Sequence, residues 1–271
     1  MATTRSGPPI KKMSTVKGAY NLGVYGNSGV GKTVFAASHP NSLVLAVDPG
    51  TISAARAGSR ADVWEIPTWE EFEEAQKWVR AGGYSRYEWV IMDGVSMLRE
   101  RCMRFILDRE HKRNAARDLF IPAMPDHQAA QNMIKFAIEK FCDLPVNFLF
   151  TALPMHVESR SGDEVIVPLV HGQKGDLSHY LTGLTDAFGY MEVTENDKGK
   201  EVRRIHWGPY EEYTGKDRFG VLAPYTDNLT LPQIEQMIAV SGSPEDRDSG
   251  RPVRKTRTGT RRTATRARRT A

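Results

Sequence analysis

The sequence predicts an α/β fold with a mainly parallel sheet flanked by helices, and three observations carry that expectation. Short apolar runs alternate with helical patterns over the first 150 residues, a glycine-rich turn joins the first run to the first helix, and the second and third runs each end in an aspartate. Runs that are apolar throughout, not at every second residue, belong to strands covered on both faces, and βαβ units produce such strands.

Residues 20–25 (YNLGVY) read as the first strand. A helix from Lys32 to about Ser38 is stopped by His39-Pro40, because the residue before a proline is pushed out of helical backbone. Residues 42–47 (SLVLAV) are a second strand ending at Asp48-Pro49-Gly50. Residues 68–80 form an amphipathic helix, with Thr68 as N-cap and Glu71 completing a capping box. Residues 89–92 (WVIM) are a third strand ending in Asp93, and residues 146–151 (VNFLFT) a fourth. Between them, residues 96–120 and 126–141 read as helices separated by a proline-containing break. Segments 164–170, 187–194, 201–207 and 219–223 have the length and pattern of hairpin strands. The resulting organisation is a flexible N-terminus (1–17), one core domain (18–241) and a tail (242–271).

Hydrophobic residues at 40% and charged residues at 26% are an ordinary globular balance, enough to bury a sizeable core. No stretch reaches the roughly 20 apolar residues of a membrane span, and the opening MATTRSGPPIKKMS lacks the apolar segment of a secretory signal. Cys102 and Cys142 are too few for a disulfide framework. A cytoplasmic protein is the expectation. The net charge of +4 is unevenly placed. From Gly242 onward ten Lys or Arg face three Asp or Glu, so the tail carries +7 and the rest −3. The sequence pI near 9.0 therefore belongs to the tail, whose Arg, Thr, Gly and Pro cannot bury enough apolar surface to order it.

Gly26, Asn27, Ser28, Gly29, Val30, Gly31, Lys32 and Thr33 spell the Walker A pattern between a strand and a helix, the context that motif requires. Its glycines let successive N–H groups turn inward around phosphate oxygens, at a helix N-terminus whose dipole favours anions. Lys32 then reaches the β- and γ-phosphates and the Thr33 hydroxyl ligates Mg²⁺, which implies ATP and Mg²⁺ as ligands. Asp93, after four apolar residues, suits the Walker B carboxylate that holds the Mg²⁺ water shell. Asp48 has two readings: it orients an attacking water, or it caps the turn with Pro49-Gly50.

Further motifs carry a resemblance: YEWVIMDGVSML (87–98), VNFLFTAL (146–153), VPLVHGQKGDLSHYLTGLTDAFGYM (167–191) and GKDRFGVLAP (215–224). Together with the two Walker motifs, over residues 18–240, the chain resembles RecA-like P-loop ATPases. It is most similar to the phage-encoded ones that act in single-strand annealing and recombination, whose setting is the host cytoplasm. Lys216-Asp217-Arg218-Phe219-Gly220 is similar to the Lys-Asn-Arg-Phe-Gly motif of the RadA/Sms branch. There the Lys and Arg enter the neighbouring subunit's ATP site, so the resemblance implies a homo-oligomer, ring or filament, with Lys216 and Arg218 completing catalysis in trans; a solvated turn is the other reading. Two departures bear on hydrolysis. Many relatives carry Glu where this chain has Pro49-Gly50, and many carry His where it has Leu153, with His156 three residues on. Thr151 is either a sensor of the γ-phosphate or a polar strand end, and Asp186 matches a strand-leading Asp whose role is structural.

The resemblance also implies DNA contacts after the third and fourth strands. The first candidate is Arg99, Arg101, Arg104, Arg109, Lys112, Arg113 and Arg117, but Glu100, Asp108, Glu110 and Asp118 intersperse it, so a solvated helix face fits equally. The second is the loop 156–174, with Arg160, His171, Gln173 and Lys174. The nine basic residues between Arg251 and Arg269 suit single-stranded DNA without sequence preference, a solubilising appendage, or an acidic partner. The expectation is a DNA-stimulated ATPase in recombination or annealing. Its rivals are a P-loop kinase of a small molecule and a non-hydrolysing, nucleotide-gated DNA-binding module.

Overall fold

Alternation in Asn21–Tyr25 (β1) sets up the two layers around which the rest is built. Leu22 and Val24 point into one hydrophobic cluster and Tyr25 into the other, as the period of two along a strand requires. The computed structural model describes residues 18–158, 162–170, 176–209 and 212–240. Within them Ser42–Ala46 (β2), Asp62–Glu65 (β3), Trp89–Asp93 (β4) and Asn147–Ala152 (β5) join β1 in parallel, in the order β1-β5-β4-β2-β3. The first half of Ala187–Glu195 (β8) pairs parallel with β1 on the other side, from Leu22↔Ala187 to Tyr25↔Tyr190. The sheet then turns antiparallel through Glu201–His206 (β9) and Tyr225–Asp227 (β11), while Lys216–Asp217 (β10) pairs with β8. Pro154–Glu158 (β6) and Glu164–Pro168 (β7) form a separate hairpin.

One face of the sheet is covered by Trp69–Arg80 (α3), Val95–Arg113 (α4), Met124–Cys142 (α5) and Asp176–Leu184 (α6). Lys32–Ala36 (α1), Thr51–Arg56 (α2) and Leu231–Val240 (α7) cover the other. No helix among the described residues is long and apolar enough to cross a membrane. The N-terminal segment 1–17 and the tail 242–271 lie outside the described residues.

The sequence-based elements need four corrections. The helix expected to run to Phe120 ends at Arg113. Beyond it Asn114 Oδ1 accepts from Ala116 N, and Asp118 Oδ1 accepts from Phe120 N and Ile121 N, local bonds that compete with helical ones. Segment 219–223 is not a strand, because the Asp217 carboxylate gathers the N–H groups of Phe219, Val221 and Leu222 that a ladder would use. Segment 187–194 is more than a hairpin arm, since its first half belongs to the parallel core. Finally, Thr68 Oγ1 does accept from Glu71 N at 3.2 Å, but the Glu71 carboxylate accepts from Trp64 Nε1 at 2.6 Å.

One carboxylate fastens α7 to the sheet. Glu235 accepts from the fully buried Trp89 indole at 3.1 Å and from Asn147 Nδ2 at 3.3 Å. His39 Nε2 stands 3.3 Å from both Glu235 and Glu88. These three groups lie within 4.8 Å of one another, as metal ligands would. However, His39 Nδ1 accepts the Asn41 backbone N–H at 3.2 Å, so the proton sits on Nε2 and points at the carboxylates. The cluster is a hydrogen-bonded tie and not a metal site. Replacing Glu235→Ala leaves the Trp89 N–H buried without an acceptor, a loss of ~1–3 kcal/mol. The melting temperature should fall by about 5 °C for a domain of this size, and Glu235→Gln, which keeps an acceptor oxygen, should lose less. Thermal denaturation of the two variants checks this.

Candidate nucleotide site

The loop between β1 and α1 is shaped by close contacts that only glycine permits. A Cβ on Gly26 would lie 2.1 Å from the Met191 carbonyl oxygen of β8. Gly29 and Gly31 have φ of +84° and +105°, left-handed backbone that side chains disfavour. The loop therefore curls tightly at the C-terminal end of the parallel strands. Lys32 is buried inside this curl, its Nζ donating to Gly26 O and Asn27 O at 2.8 Å each. Burial pulls the Lys32 pKa down, and the charges of Asp93 and Asp48 pull it partly back.

Because β5 lies between β1 and β4, three side chains meet at the strand ends. The register Val24↔Thr151 and Met92↔Phe150 brings Thr151 beside Asp93. Thr151 Oγ1 donates to Asp93 Oδ1 at 2.6 Å and accepts from Gly94 N at 2.9 Å. Thr33 Oγ1 donates to Asp93 Oδ2 at 2.7 Å. Asp93 is almost completely buried, which raises its pKa; the hydrogen bonds from Thr151 and then Thr33 oppose that rise. Thr151 thus positions the carboxylate. Asp48 follows β2 beside β4: its N–H donates to Asp93 O at 3.2 Å, and a Cβ on Gly94 would lie 2.9 Å from its own Cβ. Gly50 packs on the threonine, for a Cβ there would stand 2.9 Å from Thr33 Oγ1. A glutamate side chain at that position would press on the Thr33 hydroxyl.

This donor set fits a magnesium-bound triphosphate. A lysine ammonium sits at the centre of a glycine-shaped loop, and a buried carboxylate lies one hydrogen bond from a threonine hydroxyl. Thr33 and Asp93 would hold Mg²⁺, whose charge offsets that of the phosphates. A cavity of about 580 Å³ opens at Gly31, between α1 and α2 on one side and β8 and β9 on the other, within the size range of small-molecule sites. Val34, Phe35, Met191, Arg60 and Arg203 are among its lining residues, and Arg203 Nε would stand 2.7 Å from a Cβ on Gly31. Sequence reasoning missed Arg60 and Arg203. Neither lies near the Walker motifs in the chain, and no motif marks them.

The other sequence-derived candidates lie elsewhere. Lys216 donates to Thr182 O and Arg218 to Gly183 O at 2.7 Å, at the C-terminus of α6. Burial and then the neighbouring Arg218 push the Lys216 ammonium down to about 8. Asp186, just before β8, accepts from Asn21 N at the start of β1 at 3.0 Å, a structural contact between the two strands. Pairing of Lys216 with Phe188, and of Phe188 with Gly23, puts this group toward the end of the sheet away from the phosphate loop. His156 lies on the β6–β7 hairpin, 2.7 Å from Glu164. Arg160, His171, Gln173, Lys174 and the basic residues 251–269 lie outside the described residues. On α4 and the loop after it, Arg99 pairs with Glu100, Arg109 and Arg113 with Glu110, Lys112 with Asp108 and Arg117 with Asp126. Arg101 donates to the backbone oxygens of Pro67 and Val47. This segment reads as a charge-balanced face.

The raised pKa of Asp93 sets the sign of a pH effect. Between the unfolded and folded values the native state binds the extra proton, so stability falls as pH rises through that window. Asp93→Asn should therefore melt at a higher temperature than the wild type at pH 8 while losing magnesium-dependent turnover. The difference in melting temperature should narrow as the pH is lowered, which thermal scans between pH 5 and 8 would follow.

A family model described as an AAA domain matches residues 19–219, spanning β1, both Walker motifs and the Lys216–Arg218 turn. No curated protein gives a match to this chain. With the phosphate loop, the buried Asp93 and the mainly parallel sheet in place, the chain belongs to this AAA-domain family and is a nucleotide-binding P-loop ATPase.

Proposed function

We propose that the protein is a RecA-like ATPase of DNA recombination or single-strand annealing, of the kind phages encode, working as a ring or filament on single-stranded DNA. The observation that carries this reading is the placement of Lys216 and Arg218. They lie in and just after β10, against the C-terminus of α6 and toward the far end of the sheet from the chain's own Lys32, so a triphosphate they serve is a neighbour's. Lys32 neutralises phosphate charge in cis, and Thr33 and Asp93 hold the Mg²⁺. The guanidinium of Arg218, once released from Gly183 O, stabilises charge developing on the γ-phosphate in trans. Asp48 is the group that orients the attacking water: it is half-buried beside Asp93, and its carboxylate accepts no hydrogen bond among the described residues. The Arg-rich tail supplies sequence-independent affinity for single-stranded DNA. The cavity at Gly31 accepts the nucleoside, with Arg203 over its entrance.

Arg218→Ala should bind ATP normally and lose hydrolysis on the order of 10³-fold if the arginine-finger magnitude applies. Mixing it with Lys32→Ala protein should restore part of the turnover, because one mutant supplies an intact phosphate loop and the other the arginine. Wild-type turnover by a folded Arg218→Ala protein that stays monomeric with ATP and DNA would remove the trans-acting role, and with it the preference over a small-molecule kinase.

Deleting residues 251–271 should weaken single-stranded DNA binding and flatten its salt dependence. Nine neutralised phosphates would change the slope of log K against log salt by about 6, an upper bound for a tail that engages only some of them. An unchanged slope in a fluorescence-anisotropy titration would assign the tail to solubility or to a protein partner.

A further inference from the structure

Two unmatched apolar features lie on opposite faces of the sheet. The first is the loop between α4 and α5, which presents Phe120, Ile121 and Met124 at 87%, 69% and 67% exposure. The loop is built to hold them out: Asp118 Oδ1 accepts both Phe120 N (2.7 Å) and Ile121 N (3.0 Å), the Arg117 carbonyl bonds His111 Nδ1 at 2.7 Å, and the Arg117 guanidinium bonds Asp126. A projecting apolar group that is already ordered loses little entropy when it docks. The second is a hollow of about 220 Å³ between α1, α2, β2 and β3, walled by Val44, Ala54, Ala61 and Thr33 and rimmed by the exposed Ile52 and Val63. An apolar cavity of about 150 Å³ takes a benzene ring, so this hollow accommodates one phenylalanine side chain. It adjoins β3, the outermost parallel strand, the kind of edge that proteins ordinarily cover.

We propose that Phe120 of one copy of this chain inserts into the α2–β3 hollow of a second copy. The inference rests on the oligomeric reading above and names the contact that builds the assembly. A single chain cannot make the contact with itself: the hollow belongs to the layer of α1 and α7, and the knob to the layer of α4 and α5. A patch that fits a different patch on the next copy repeats head to tail, giving a ring or a filament. Exposed Arg56 lies beside Ala55 at the hollow and exposed Asp118 beside the knob, so the two edges offer one ion pair. A nucleobase stacked on Phe120 would need free cations nearby for its phosphates. Instead Arg109, Lys112, Arg113 and Arg117 around the loop are paired with carboxylates, which favours a protein partner over DNA. Because Thr33 forms part of the hollow's wall, docking also contacts the residue that holds Asp93, so assembly and the nucleotide site are joined.

Sedimentation velocity of the full chain with ATP and Mg²⁺, over a concentration series, tests the proposal with Phe120→Ser and Ile52→Glu. Both positions are solvent-exposed in the protomer, and thermal scans confirm that the variants fold. The concentration for half-assembly should rise about 30-fold in each, the scale of an aromatic hot spot, and the double variant should be little worse than either single because the two residues share one contact. A mixture of Phe120→Cys and Val63→Cys proteins should cross-link to each other with a short bismaleimide, more than either alone. If the wild type assembles and Phe120→Ser assembles equally well, the contact is refuted and the oligomeric reading stands. A wild type that stays monomeric with nucleotide and DNA refutes both. If Phe120→Ser assembles normally but loses affinity for oligo-dT, the loop is a base-stacking surface and the proposal falls.

Discussion

The buried carboxylate of Asp93 is the constraint on which the rest of the site depends. An aspartate with almost no solvent exposure raises its own pKa and destabilises the fold unless its oxygens are bonded. Two hydroxyls meet that need, Thr33 from the helix after β1 and Thr151 from the end of β5. Each comes from a different crossover, so the arrangement requires β5 to run between β1 and β4. The strand order of the sheet and the chemistry of the site are therefore one requirement. Thr33 and Asp93 would hold a magnesium ion brought by a triphosphate, and Thr151 is itself held beside the carboxylate by a second bond, from Gly94 N.

The antiparallel half of the sheet adds what the Walker motifs lack. β8 approaches Gly26 so closely that no side chain fits there, and β9 brings Arg203 over Gly31. A cavity opens at the phosphate loop as a result, walled on one side by core elements and on the other by the C-terminal extension. The extension is fixed from below as well. Glu235 on α7 accepts from donors on β4 and β5, so α7 is tied to the strand that ends in Asp93.

Much of this architecture was legible in the chain, and the exceptions have physical causes. The four mostly apolar runs gave β1, β2, β4 and β5 to within a residue or two, because strands buried on both faces are apolar along most of their length. β3 was missed: as an edge strand with mostly exposed residues, DVWE carries no such run. The short α2 was missed because six residues hold too little periodicity to register. The end of α4 was misplaced because Asn114 and Asp118 divert backbone N–H groups into local turns, a competition that hydrophobic spacing does not record.

By itself the sequence marked the glycine-rich loop, Thr33 and Asp93 as candidate magnesium ligands, and the parallel core, since each depends on residues adjacent in the chain or on a pattern repeated within a few residues. Gly26 to Thr33 needs only its own order to form a loop, and Asp93 needs only a buried strand before it. Tertiary structure alone decided that Thr151 positions Asp93, that Gly50 leaves room for Thr33, and that Arg60 and Arg203 flank the cavity at Gly31. It also put Lys216 and Arg218 against the C-terminus of α6, away from the chain's own Lys32. These relations join residues that the chain separates widely, from 17 positions between Gly50 and Thr33 to 172 between Arg203 and Gly31. They arise from strand order and register, which no local pattern of side chains encodes.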